Sequence, residues 1–209
     1  MKHISDKQIR NFLLNALFGS NYKNDYVTAA SNRAYRDFNR TIRFYANVSA
    51  DERAKTKERI TSIIKASIEG YVSKGKINKK KFDEFHTATC EAIKEEYKDI
   101  ADDFSYGQSQ KWLNMTIKYL FILDDNPLGL GQVFDYCHIP IDNYIMDEAT
   151  KSFKLPRPID EKGHVVPWSK WDDATYIDYQ KKLQQTIKGN YNKAPLSWEF
   201  DAWLDAAQK

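Results

Sequence analysis

A chain of 209 residues, 42% hydrophobic and 29% charged, is long enough to bury a proper core as one large domain or two small lobes. Two cysteines, Cys90 and Cys137, exclude a disulfide framework and suit a reducing, cytoplasmic interior. The longest apolar run, Tyr119 to Leu123, is too short to span a bilayer, and the charge-interrupted N-terminal stretch does not read as a signal peptide.

Net charge is +3 but uneven. Residues 1–81 hold 18 Lys/Arg against 7 Asp/Glu, a balance of +11, and residues 82–209 hold 14 against 22, a balance of −8. Such asymmetry suggests a polyanionic partner for the N-terminal part, nucleic acid or an anionic membrane. The competing explanation is that the two halves neutralise each other across an interface.

In chain order, Ser5 can cap a first helix whose Ile9, Phe12, Leu13, Ala16 and Leu17 fall at helical spacing, with Gly19 past its end. A second helix is expected over 29–46. Tyr35, Phe38, Ile42 and Tyr45 form one stripe, and Arg33, Arg36, Arg40 and Arg43 form another about 200° away at about 100° per residue. Arginine suits phosphate because its planar fork makes two hydrogen bonds at once, although a solvated face paired with the acidic half accounts for the row equally well. Ser49 to Glu52 reads as a capping box for a third helix through Ile60, Ile63, Ile64, Ile68 and Tyr71. The segment Ser73-Lys74-Gly75-Lys76 breaks it. Asn78 caps a fourth helix with Phe82, Phe85, Thr89, Ala92, Ile93 and Tyr97 inward, although Lys79 to Lys81 at its positive end are disfavoured without an anion.

Next, Gly107-Gln108-Ser109-Gln110 reads as a tight turn whose backbone N–H groups could seat a phosphate. A helix from Lys111 follows, with Leu113, Ile117, Leu120 and Phe121 inward. Lys111 then falls in a first helical turn, where the positive helix end disfavours the ammonium form and favours the free amine that nucleophilic attack needs. Asp142 sits in the apolar turn Ile139-Pro140-Ile141-Asp142 and can cap a helix from Asn143. A proline-rich connection (Pro156, Pro158, Pro167), a helix near 172–188 and a short one near 197–207 complete the chain. No segment alternates as a strand, so the fold class is all-α.

Glycine turn, lysine, apolar helix and an apolar-Pro-apolar-Asp turn together resemble the helix-hairpin-helix DNA glycosylase superfamily, and most of all its archaeal-type 8-oxoguanine branch. The resemblance spans residues 106–146, and it implies a single glycosylase-like unit with the helix-hairpin-helix and catalytic turn at 104–146 and the basic helices at 29–81. It implies a two-lobed helical fold with double-stranded DNA between the lobes and a monomer with no membrane partner. In it Lys111 is the Schiff-base nucleophile, Lys118 a second lysine one helical repeat later and Asp142 the catalytic carboxylate. The base excised is 8-oxoguanine or a hypermodified base such as those of phage DNA, the latter making a defence enzyme; strand cleavage by a lyase step can follow. Gly107 to Gln110 and the arginines 33, 36, 40 and 43 are the expected DNA contacts. The hairpin departs from the usual two-glycine turn. The four-cysteine iron–sulfur signature is missing, so no cofactor is expected.

Trp112, beside the nucleophile, and Trp168 and Trp171 at a helix entrance are candidates to stack on an extruded base, and His138 to carry a proton. Each has a plainer reading as core packing. His3, His86, His138 and His164 show no metal-ligand spacing, and adjacent Cys137 and His138 cannot easily share one zinc. Phosphate-binding and dinucleotide motifs are not found. Two other functions fit the residues: a non-catalytic helical DNA-binding module, and a helical scaffold whose basic face meets an acidic protein.

Overall fold

The computed structural model describes residues 3–75, 78–124 and 127–207. The fold is all-α. Helices α1 (Asp6–Phe18), α2 (Tyr26–Phe38), α3 (Ala50–Ser73) and α4 (Lys79–Glu95) precede a central α5 (Tyr106–Leu123), and α6 (Asn143–Phe153), α7 (Asp173–Tyr191) and α8 (Pro195–Ala207) follow it. Among the described residues, no helix is long and apolar enough to cross a membrane.

Local chemistry sets most boundaries. The side chains of Ser5, Ser49, Asn78 and Asp142 each accept a hydrogen bond from an otherwise unpaired N–H in the first turn of the helix they precede, and each such cap contributes about 1 kcal/mol. Lys79, at the positive end of α4, is compensated by Asp83 at 2.7 Å.

α2 stops at Phe38, earlier than its pattern predicts. Asn39–Thr41 tighten into a 3-10 turn. Strand β1 (Arg43–Phe44) then pairs antiparallel with β2 (Ala101–Asp102), so a short two-stranded ribbon exists where no strand is expected. The Thr41 carbonyl is held by the Gln108 amide at 2.9 Å, which turns the chain away from the helix axis. As a result Arg33 and Arg36 ride on α2, Arg40 on the turn and Arg43 on β1, and the arginines do not form one helical face. α1 also differs from expectation. Leu14 is its buried residue, whereas Phe12 is 72% and Leu13 58% exposed. Lys76, part of the expected break after α3, lies outside the described residues.

Helix α5 organises the core. Every residue from Tyr106 to Leu120 is buried, with α2, α4 and α7 against it. A helix buried all round would ordinarily be apolar throughout. This one carries Gln108, Gln110, Lys111, Asn114 and Lys118, which persist because each finds a partner across a helix interface.

The start of α5 corrects the expected hairpin. Ser105 is the N-cap, and Gly107 to Gln110 are the buried first turn of the helix rather than a loop. The Gly107 N–H donates to the Trp171 carbonyl at 2.9 Å and the Gln108 N–H to Ser105 Oγ at 3.1 Å, so the donors a phosphate would use are already satisfied. A Cβ on Gly107 would lie 1.9 Å from the Trp168 carbonyl oxygen. The glycine therefore serves close passage of the 168–171 segment, not a grip on DNA.

Candidate active site

Lys111 stands in the second turn of α5, beyond the reach of the first-turn dipole that its sequence position suggests. Its Nζ meets Asp142 Oδ2 at 2.7 Å, with side chains only 6% and 16% exposed. Asp142 Oδ1 accepts from the Ile145 N–H at 3.0 Å, so the carboxylate caps α6 and holds the lysine at once.

The turn carrying Asp142 is fastened to α5 by backbone contacts. Gln110 Nε2 donates to the Ile141 carbonyl at 3.3 Å, the Ile141 N–H reaches Gln110 Oε1 at 3.4 Å, and Asn114 Nδ2 donates to the Ile139 carbonyl at 3.3 Å. Ile139 and Ile141 are fully buried beneath it. Residues 110, 111 and 114 share one face of α5, and that face selects which carboxylate Lys111 meets.

One helical repeat later, Lys118 Nζ lies 2.8 Å and 2.7 Å from the two carboxylate oxygens of Glu199 on α8. Burial pushes the Glu199 carboxyl up, against the pull of Lys118, and the net shift is upward. Lys118 also lies over the rings of Phe200 and Trp203, 4.6 Å and 5.4 Å from their centroids. Both lysines open onto one pocket of about 450 Å³, with Trp168, Phe200 and Trp203 in its wall and Arg33, Arg40 and Tyr144 also lining it. Arg33 pairs with Asp37 at 2.5 Å, and Asp37 also accepts from the Tyr119 hydroxyl at 2.6 Å.

Several sequence candidates lie elsewhere. Trp112 is fully buried against Tyr35 and Phe38, its indole N–H on Ser31 Oγ at 3.0 Å; it is a core side chain and cannot reach a ligand. Trp171 packs on Tyr179 and donates to the Val166 carbonyl at 2.9 Å. Trp168 alone of the three lines the pocket. His138 bonds the Tyr176 hydroxyl at 3.0 Å and Asp83 at 3.2 Å, and borders a different pocket. Arg36 and Arg43 are exposed and do not line the pocket with Arg33 and Arg40.

Sequence reading missed Glu199, Phe200, Trp203 and Tyr144. The only signal was the i, i+4 spacing of Glu199 and Trp203, which puts them on one face of the last helix. Among the described residues, no group of three or more His, Cys, Asp or Glu could hold a metal ion. Compared with known proteins, the chain matches no family model, no curated protein and no solved structure.

Proposed function

We propose that this chain is a DNA glycosylase that removes a damaged or modified base through Lys111 and Asp142, with the lysine–aspartate chemistry of the helix-hairpin-helix superfamily but without its hairpin turn. One observation carries the reading: an amine and a carboxylate from separate segments meet at 2.7 Å in a pocket lined with aromatic rings.

The target nucleotide leaves the duplex and its base enters the pocket. Trp168, Phe200 and Trp203 offer ring faces for stacking. Asp142 takes a proton from Lys111, whose freed lone pair attacks the anomeric carbon as the base departs with the bonding electrons and gains a proton. Ring opening gives the imine, from which hydrolysis or β-elimination of the strand follows. Arg33 and Arg40 at the pocket supply phosphate contacts in place of the buried Gly107 to Gln110. The cleft between the expected two lobes is, in this reading, the mouth of the pocket. The default substrate is 8-oxoguanine, with a bulky hypermodified base as the alternative.

The test is a panel of duplexes, each carrying one modified base, with borohydride trapping. A covalent adduct formed by the native chain and not by Lys111→Ala supports the mechanism. Full excision by Lys111→Ala sinks it. A second reading, a non-catalytic DNA-binding module, is favoured by the fact that both lysines already have carboxylate partners. It expects no adduct with any duplex, and a salt slope of binding reduced by about one in Lys111→Ala.

A further inference from the structure

The turn that carries Asp142 begins at another pocket, about 780 Å³, between α4 and α7. It lies within the roughly 300–1,000 Å³ typical of small-molecule sites and is far larger than a lone phosphate needs. One wall is a continuous face of α7, on which Gln180, Lys181, Gln184 and Lys188 recur at helical spacing.

Two buried amide atoms there are unsatisfied. Gln180 is only 2% exposed; its Nε2 serves the Ile139 carbonyl and the Tyr176 hydroxyl, and its Oε1 has no partner. Gln184 Nε2 is likewise buried without a partner, one helical turn along. Unpaired buried polar atoms call for an explanation. An acceptor and a donor on successive turns of one helix face are groups that a nucleobase, which carries both a donor and an acceptor, can meet.

The charges at the pocket favour an anion. Among the described residues, Lys181 and Lys188 have no ion-pair partner, whereas Lys79 is paired with Asp83 and Lys193 with Asp201. Asp83 is further held by His138 at 3.2 Å. Asp135 is the remaining acid of the lining, against two unpaired lysines.

We propose that this pocket binds a nucleoside phosphate, with the base edge on Gln180 and Gln184 and the phosphate between Lys181 and Lys188. The site is independent of the glycosylase reading. It shares with the Lys111–Asp142 pair only the 137–142 turn, whose Ile139 carbonyl Gln180 holds at 2.5 Å.

Calorimetric titration of the full chain with adenosine, guanosine and cytidine monophosphates, against ribose 5-phosphate and inorganic phosphate, tests it. At least one nucleotide should bind at one site about tenfold or more tighter than ribose 5-phosphate. The exposed double reversal Lys181→Glu/Lys188→Glu should weaken that binding about tenfold or more with an unchanged unfolding curve. Gln184→Leu should erase the preference over ribose 5-phosphate, and Trp203→Ala, in the other pocket, should leave it intact. The proposal is overturned if no nucleotide binds, or if the phosphates without a base bind as tightly. It is equally overturned if binding survives the lysine reversal or is lost in Trp203→Ala.

Discussion

Asp142 divides its two oxygens between a helix cap and a lysine, and that division makes its substitutions informative. Asparagine caps a helix about as well as aspartate, so Asp142→Asn should keep α6 and the fold. If the carboxylate takes the proton of Lys111, the variant should lose roughly 10²–10⁴-fold in excision rate. Single-turnover kinetics beside a thermal melt separate the two effects; an unchanged rate would count against the proposed role. Lys111 and Asp142 were legible in the sequence because few other arrangements of lysine, apolar helix and apolar Pro-Ile-Asp turn suit both residues. Glu199 was not legible. An acidic residue on a terminal helix reads as solvated, and only the approach of α8 to α5 puts it on Lys118.

At the scale of elements, α5 is where pattern reading went furthest wrong and where the physical reason is clearest. A glycine followed by polar residues looks like a loop. Those polar side chains are inside the protein because Thr41, Ser105, Ile139 and Ile141 supply the matching backbone or side-chain groups. Gly107→Ala tests this directly. Its methyl would meet the Trp168 carbonyl at 1.9 Å, and the required shift of backbone should cost about 1–3 kcal/mol in chemical denaturation. An exposed DNA-contacting turn would instead tolerate the change in stability and lose DNA affinity. Ser105→Ala should cost about 1 kcal/mol through the lost cap, a smaller effect than the steric one at Gly107.

For the whole molecule, charge and protonation give two further expectations. If the proposed function holds, the arginines that line the pocket, Arg33 and Arg40, should each lower the salt slope of duplex binding by about one when changed to alanine. Arg43, on β1 away from that pocket, should change it less. His86 and His138 lie at the heart of the fold with ring centroids 4.2 Å apart and planes tilted by 43°. Burial lowers both below the ordinary histidine value, His86 further through its neighbour His138, and for His138 this outweighs Asp83. A folded value below the unfolded one means that stability is complete above about pH 6.5 and is lost as pH falls, because the unfolded chain takes up protons that the fold refuses. The melting temperature should therefore drop between about pH 6.5 and pH 5. Glu199, shifted upward, works in the opposite sense near and above its unfolded value of 4.5, so the profile is read in Glu199→Gln, where a flat one would contradict neutral buried histidines.

The sequence by itself determined the helical class and the helix starts at Ser5, Ser49, Asn78 and Asp142. Caps and 3.6-residue periodicity are local, acting over three or four residues, so they survive without knowledge of the fold. Tertiary structure alone decided that Trp112 faces the core, that Gly107 to Gln110 are buried, and that Glu199 joins Lys118. It alone also placed the two pockets at opposite ends of one short turn. Periodicity states which side chains share a face; only packing determines what that face meets, and burial of a polar group is stable only where another segment brings its partner.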